Sequence, residues 1–196
     1  MQLGNLVPAI VAGVLSAQLA LFSSAARATD SDPLAELKRP GRVLLLPHAH
    51  APGTGDPAQF KPHVCRTQRN LDAAGRKQAA RLGERLRAAG VARAKIYSSQ
   101  WCRCLETARL LKLGPVNELP ALDALSERPE ERQRQIDALR NFLAGLPRDG
   151  GVPFIMVTHP AVIGVLTGGG AAPAAGVILA LDGSRVPRAV AEIKFK

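Results

Sequence analysis

The chain has 196 residues, 46% of them hydrophobic and 21% charged, which is enough apolar material for one domain with a sizeable core and excludes a disordered protein. Aromatic residues make up only 4%, so that core must be built from Leu, Val, Ile and Ala. The formal net charge of +10 favours anionic partners, with a scattered, merely solvated basic surface as the alternative.

The N-terminus differs from the rest. Leu6 to Phe22 carries no charge, and Ala26-Arg27-Ala28 fits a small-x-small cleavage pattern, so residues 1–28 read as a secretory signal peptide cut before Thr29. The segment Met1–Asn5 lacks the usual Lys or Arg, and the alternative is an uncleaved membrane anchor. Export implies a periplasmic or secreted protein, whose anionic partners would be phosphorylated small molecules, glycans or lipid headgroups rather than nucleic acid. Cleavage removes only Arg27 and leaves +9.

Residues 29–40 are polar with two prolines and read as a linker before a domain over 41–196. Val43–Leu46 is a continuous apolar run that fits a fully buried strand. Pro47–Asn70 is a long Gly- and Pro-rich loop, of the kind that usually carries function. Asp72 is a good N-cap for a helix whose apolar positions step by three or four to Ala89, with Gly90 as its stop. Lys95–Ser98 is a second strand. Ser99 can cap a helix through Leu111, with Trp101, Leu105 and Ala108 on its inner face.

Val116–Leu119 is a weak strand candidate, and Ser126 opens a further helix with Ile136, Leu139, Phe142, Leu143 and Leu146 inward. Phe154–Thr158 is another strong strand. Pro160 suits the first turn of a helix to about Thr167, ended by Gly168–Gly170. Val177–Leu181 and Ala189–Phe195 close the chain as strands around Asp182-Gly183. Alternating strands and helices predict an α/β three-layer sandwich: a mostly parallel central sheet with helices on both faces.

Three cysteines remain in the domain. In an oxidising compartment Cys65 is expected to bridge to Cys102 or Cys104, leaving one thiol; three reduced thiols are the alternative. The C-x-C spacing alone does not make a zinc site.

Three strands end in polar groups: His48 after the first, Arg103 one helical turn after the second, and His159 after Phe154–Thr158. Ligands of open α/β sheets bind beyond the carboxyl ends of the strands, so these side chains can converge on one site. The helices that start after Ser98 and His159 would aim backbone N–H groups at an anion there.

At these residues the chain resembles the histidine phosphatase superfamily, over about Arg42 to Leu181. Pro47-His48-Ala49 stands at that family's Arg-His-Gly motif. Ser99-Gln100-Trp101-Cys102-Arg103-Cys104-Leu105-Glu106-Thr107-Ala108 matches its specific Ser-x-x-x-Arg-x-x-x-Thr-Ala pattern, and Thr158-His159 its Thr-His. Leu71 to Gly75 looks like its Leu-Thr-x-x-Gly helix start. The loop His50–Asn70 looks closest to an exported bacterial branch akin to lipopolysaccharide-core heptose phosphatases.

The resemblance implies a phosphomonoesterase that uses neither metal nor cofactor. A neutral imidazole nitrogen of His48 would attack phosphorus, Arg103 and His159, if cationic, would neutralise the equatorial oxygens, and water would hydrolyse the phosphohistidine. Three positions depart from the family. Pro47 replaces an arginine that grips two phosphate oxygens, with Arg69 and Asn70 of the loop as candidate substrate-binding substitutes. The leaving-group acid aligns at Ala124, beside Asp123 and near Glu127. Ala49 replaces a glycine, which matters only at positive φ.

Two other readings compete. His48-x-His50, with His63, Cys65 or His159, could form a metal site. The loss of arginine at position 47 suggests a pseudophosphatase that binds a phosphorylated ligand without turning it over.

Overall fold

The computed structural model describes Met1 and residues 32–169 and 175–194. The signal peptide expected over 1–28 lies outside the described residues, as do Gly170 and Phe195. Among the described residues no helix is long and apolar enough to cross a membrane.

The described residues form four α-helices and six strands: β1 (Arg42–Pro47), α1 (Ala73–Ala88), β2 (Lys95–Ser98), α2 (Cys102–Leu110), β3 (Val116–Glu118), α3 (Pro129–Ala144), β4 (Phe154–Thr158), α4 (Pro160–Leu166), β5 (Ala175–Ala180) and β6 (Arg188–Lys194). The sheet order is β3-β2-β4-β1-β5-β6. Strands β3, β2, β4 and β1 pair in parallel, while β5 runs antiparallel to β1 and β6 antiparallel to β5.

Strand alternation sorts the core into two layers. Leu44 and Leu46 of β1 pack with Ile155 and Val157 of β4 against Leu82 and Leu86 of α1 and Ala108 of α2. Val43 and Leu45, with Phe154 and Met156, pack against Leu139 and Leu143 of α3 and Ile163 of α4. Both faces of the two central strands are therefore dry, which is why β1 and β4 read as unbroken apolar runs. The expected three-layer α/β sandwich is what forms.

Beyond shifts of a residue or two at strand ends, three elements depart from expectation. Residues 33–38, read as linker, form a 3-10 helix capped by Asp32; its Leu34 and Leu37, spaced to share one face, are buried in the first core layer. The helix expected from Ser126 starts at Pro129, and the Ser126 hydroxyl instead donates to Glu131 and accepts from the Arg128 N–H. Ser99 does not cap α2 directly: the helix starts at Cys102, and Trp101, expected on its inner face, sits at the cap position.

Gly75 shows how closely α1 approaches the loop after β1. A Cβ there would collide with the backbone carbonyl of His50, which is not a flexible side-chain tip. Asp72 Oδ1 accepts the Gly75 N–H at 2.7 Å and fixes the first turn in that position. An ordinary helical Gly→Ala exchange gains up to ~1 kcal/mol. Gly75→Ala is instead expected to cost about 2 kcal/mol, because the backbone must shift to admit the methyl group. Urea unfolding of the two proteins measures the sign.

Candidate active site

The register of β1 on β4 brings two histidines level. Pro47 pairs with Thr158, and the His48 N–H donates to the Thr158 carbonyl at 2.9 Å, so His48 and His159 leave adjacent strands side by side. Their rings lie 5.7 Å apart, edge to face. Arg103, in the first turn of α2, completes the cluster: its Nη2 is 3.4 Å from His159 Nδ1.

The partners of each ring define its protonation. His48 Nδ1 is 2.8 Å from the Ala49 carbonyl oxygen, which can only accept, so Nδ1 carries the proton and Nε2 keeps its lone pair. Burial, with repulsion from Arg103 and Arg69 and against the Ala49 hydrogen bond, lowers the His48 pKa to about 4. His159 has the opposite tautomer. A guanidinium can only donate, so Nδ1 accepts from Arg103 and Nε2–H points to Ser99 Oγ at 3.0 Å. Burial and then Arg103 push the His159 pKa far below its usual value, so in this structure His159 is neutral rather than cationic.

Ser99 passes the hydrogen bond on, donating to Asp123 Oδ1 at 3.0 Å, which also accepts the Gln100 N–H at 2.7 Å. Burial raises the Asp123 pKa against those two bonds. Glu127 is exposed. The N–H groups expected to face an anion at the start of α2 are already taken: Gln100 by Asp123, Trp101 by Ser99 Oγ and Cys102 by Gln68 Oε1.

The loop after β1 closes over this cluster through a residue that sequence reasoning missed. Asp56 Oδ1 accepts from Arg103 Nη1 at 2.8 Å and from the Arg69 N–H at 3.0 Å, and Oδ2 accepts from Trp101 Nε1 at 3.0 Å. Burial pushes the Asp56 carboxyl up, but Arg103, the Arg69 N–H and Trp101 together hold it below its usual value. Phe60 stacks on Trp101 at 5.0 Å, and Trp101 meets His159 edge-on at 5.6 Å. The cluster is therefore roofed rather than open, with Arg103 3% and His159 5% exposed. A signal was present: Asp56 is the only acidic residue between Arg42 and Asp72.

The other candidates take loop-building positions. Arg69 donates through Nε to the Gly55 carbonyl and through Nη1 to the Ala51 carbonyl, and Asn70 Nδ2 donates to the Cys65 and Gln68 carbonyls. His50 pairs with Asp72 at 3.1 Å and is solvent-exposed, as is His63. Among the described residues no group of three or more His, Cys, Asp and Glu is placed to hold a metal ion. Ala49 has no positive φ, so the methyl group is accommodated, and its N–H donates to Thr107 Oγ1.

Cys65 is bonded to Cys102, with Cα atoms 5.6 Å apart, and Cys104 is free and buried against the Thr158 carbonyl. Burial raises the Cys104 thiol to about 12, which makes it inert.

Comparisons with known proteins bear on the architecture. The model described as histidine phosphatase superfamily (branch 1) matches residues 61–130. The protein histidine phosphatase SixA complexed with tungstate superposes with a TM-score of 0.59 at 16% identity, covering 78% of this chain and 96% of that one. Phosphoserine phosphatase from Entamoeba histolytica, in complex with 3-phosphoglyceric acid, gives 0.55 at 13% identity, with 78% and 96% covered. A mycobacterial glucosyl-3-phosphoglycerate phosphatase gives 0.51 at 17% identity, with 79% and 98% covered. The architecture is the histidine phosphatase fold. No match to the sequence is found among curated proteins.

Two outcomes follow. The disulfide closes a loop with a sequence separation of 37, so the chain-entropy model gives it about 3–4 kcal/mol. Thiol titration of the denatured, unreduced protein should find one thiol, and reduction should lower the melting temperature. The second outcome concerns pH. His48 binds a proton more weakly when folded than its usual value near 6.5, so the unfolded chain takes up protons first as pH falls. The stability it contributes is complete above pH ~6.5 and is lost as pH falls towards ~4. His48 alone should account for a fall of roughly 5 °C in melting temperature between pH 7.5 and 5, His159 adding to it with the same sign, so His48→Asn should show a shallower slope rather than none.

Proposed function

We propose that this chain is an exported member of the histidine phosphatase superfamily that hydrolyses phosphomonoesters through a phosphohistidine on His48. The carrying observation is Arg103: a guanidinium only 3% exposed, with its Nε lacking any partner, set against His159, whose ring in turn meets that of His48. A buried guanidinium nitrogen without an acceptor is costly, and a phosphoryl oxygen is an acceptor that would satisfy it.

The His48 Nε2 lone pair attacks phosphorus as the bond from phosphorus to the ester oxygen breaks, that oxygen leaving as the alcohol with a proton from Asp123, and the burial that keeps the ring neutral makes it a competent nucleophile down to about pH 4. Arg103 holds the equatorial oxygens. His159, held neutral here by burial and Arg103, gains a proton as a dianion enters, and Ser99 and Asp123 steady its far nitrogen. Asp123, partly buried with a raised pKa, suits proton transfer better than exposed Glu127. Water then releases phosphate from His48. No step calls on a metal or cofactor.

Turnover is slow. Pro47 supplies no donor, and Arg69 has committed two of its guanidinium nitrogens to loop carbonyls, so neither replaces the missing arginine grip. The substrate is an exported phosphorylated small molecule or glycan, lipopolysaccharide-core sugars being the chemistry that the loop sequence resembles. The Cys65–Cys102 bridge supports an oxidising compartment. A basic surface suits anionic membrane or lipopolysaccharide there. The second reading, a pseudophosphatase, is favoured by the same Pro47 together with the carboxylate lying on Arg103.

Loss of one preorganised donor costs roughly 10²–10³ in rate. Wild type should therefore hydrolyse a generic phosphomonoester slowly, His48→Ala should abolish turnover, and Pro47→Arg should raise it by about tenfold or more. If wild type and Pro47→Arg are both inactive while tungstate still binds, the pseudophosphatase reading replaces this one.

A further inference from the structure

Asp56 holds Nη1 of Arg103, while Nε of the same guanidinium has no partner. Its Oδ1 lies 2.8 Å from Arg103 Nη1, a charge-assisted bond inside a site from which water is largely excluded. Arg69 and Arg103 carry the positive charge around it, and His48 and His159 are neutral, so Asp56 is the anion this pocket already holds. Its remaining bonds are to the Arg69 N–H and Trp101 Nε1, neither of which carries a full charge.

The surrounding backbone presents this one side chain. Gly53 and Gly55 adopt positive φ of 84° and 66°, which turns the chain inward immediately before Asp56. Arg69 fastens the same turn through the Gly55 and Ala51 carbonyls. At its other end the loop is tied to the start of α2 by Cys65–Cys102 and by Gln68 Oε1 on the Cys102 N–H. The tip that carries Asp56 thus lies between two fastened ends.

We propose that Asp56 is a built-in competitor for the anion site: its carboxylate takes the position on Arg103 that a phosphoryl group needs, and ligand binding displaces it. Exchange of a carboxylate for a phosphoryl dianion neutralises both guanidiniums, whereas exchange for a monoanion leaves the charge balance unchanged. Asp56 thereby selects dianionic phosphomonoesters and keeps the resting site closed to weaker anions such as carboxylates. The proposal rests on the reading of this cluster as a phosphoryl site.

The test uses tungstate, a tetrahedral oxyanion, on the full chain. Breaking one charge-assisted bond opposes binding by about ten- to a hundredfold, so Asp56→Asn should bind tungstate that much more tightly in calorimetry. Trp101 is the only tryptophan and donates to Asp56, so its emission should change as tungstate saturates the wild type. Equal or weaker tungstate binding by a folded Asp56→Asn overturns the proposal. Should that variant fail to fold, unchanged Trp101 emission in tungstate-saturated wild type overturns it instead. No binding to any folded form removes the anion site itself, and the proposed function with it.

Discussion

A guanidinium cannot shed its charge, so a buried one dictates the structure around it. Arg103 is that group here. Its position is set by α2, which the Thr107 hydroxyl ties back to the Arg103 carbonyl and forward to the Ala49 N–H, so the helix is fastened to the loop that carries His48. The charge is then answered from three directions: Asp56 and the Arg69 carbonyl on Nη1, and His159 on Nη2. Asp56 and Arg69 come from the loop after β1, and His159 from the end of β4. The fold of the loop after β1 is in this sense a solution to the burial of one side chain on α2.

The same charge separates the chemistry of two otherwise similar histidines. Both stand at the ends of adjacent parallel strands, and burial disfavours protonation of both. They differ in what faces Nδ1. A carbonyl there makes His48 a donor at Nδ1 and a base at Nε2; a guanidinium makes His159 an acceptor at Nδ1 and a donor at Nε2, towards Ser99. One ring is thus left with a free lone pair on Nε2, and the other is tied into a chain ending on the Asp123 carboxylate.

The sheet was legible because its central strands are dry on both faces, and continuous apolar runs flanked by Gly and Pro carry that signal. The convergence of His48, Arg103 and His159 was legible because strand ends in a parallel sheet lie together. What the loop does was not. Its folding is decided by contacts to residues far along the chain, such as Asp56 with Arg103, and no local periodicity encodes these. The bridge partner of Cys65 also depended on helix phase: Cys102 lies at the start of α2 facing the loop, whereas Cys104 turns into the sheet against Thr158. The 3-10 helix before β1 did leave a trace, Leu34 and Leu37 three apart, outweighed by the prolines around it.

Proline at position 47 is the departure with most bearing on function, and the sheet explains why the backbone tolerates it. Successive N–H groups of a strand point to alternate sides. The His48 N–H reaches β4, so the N–H missing at position 47 would have pointed towards β5. Pairing with β5 ends at Leu45 opposite Val177, two residues earlier, so no ladder bond is lost there. Proline also holds Leu46 extended, which the strand requires. The exchange therefore leaves the positions of His48, Arg103 and His159 intact and removes only a donor. In the proposed reaction the consequence of Pro47 falls on charge stabilisation rather than on folding, in a site whose remaining buried cation, Arg103, already carries a carboxylate.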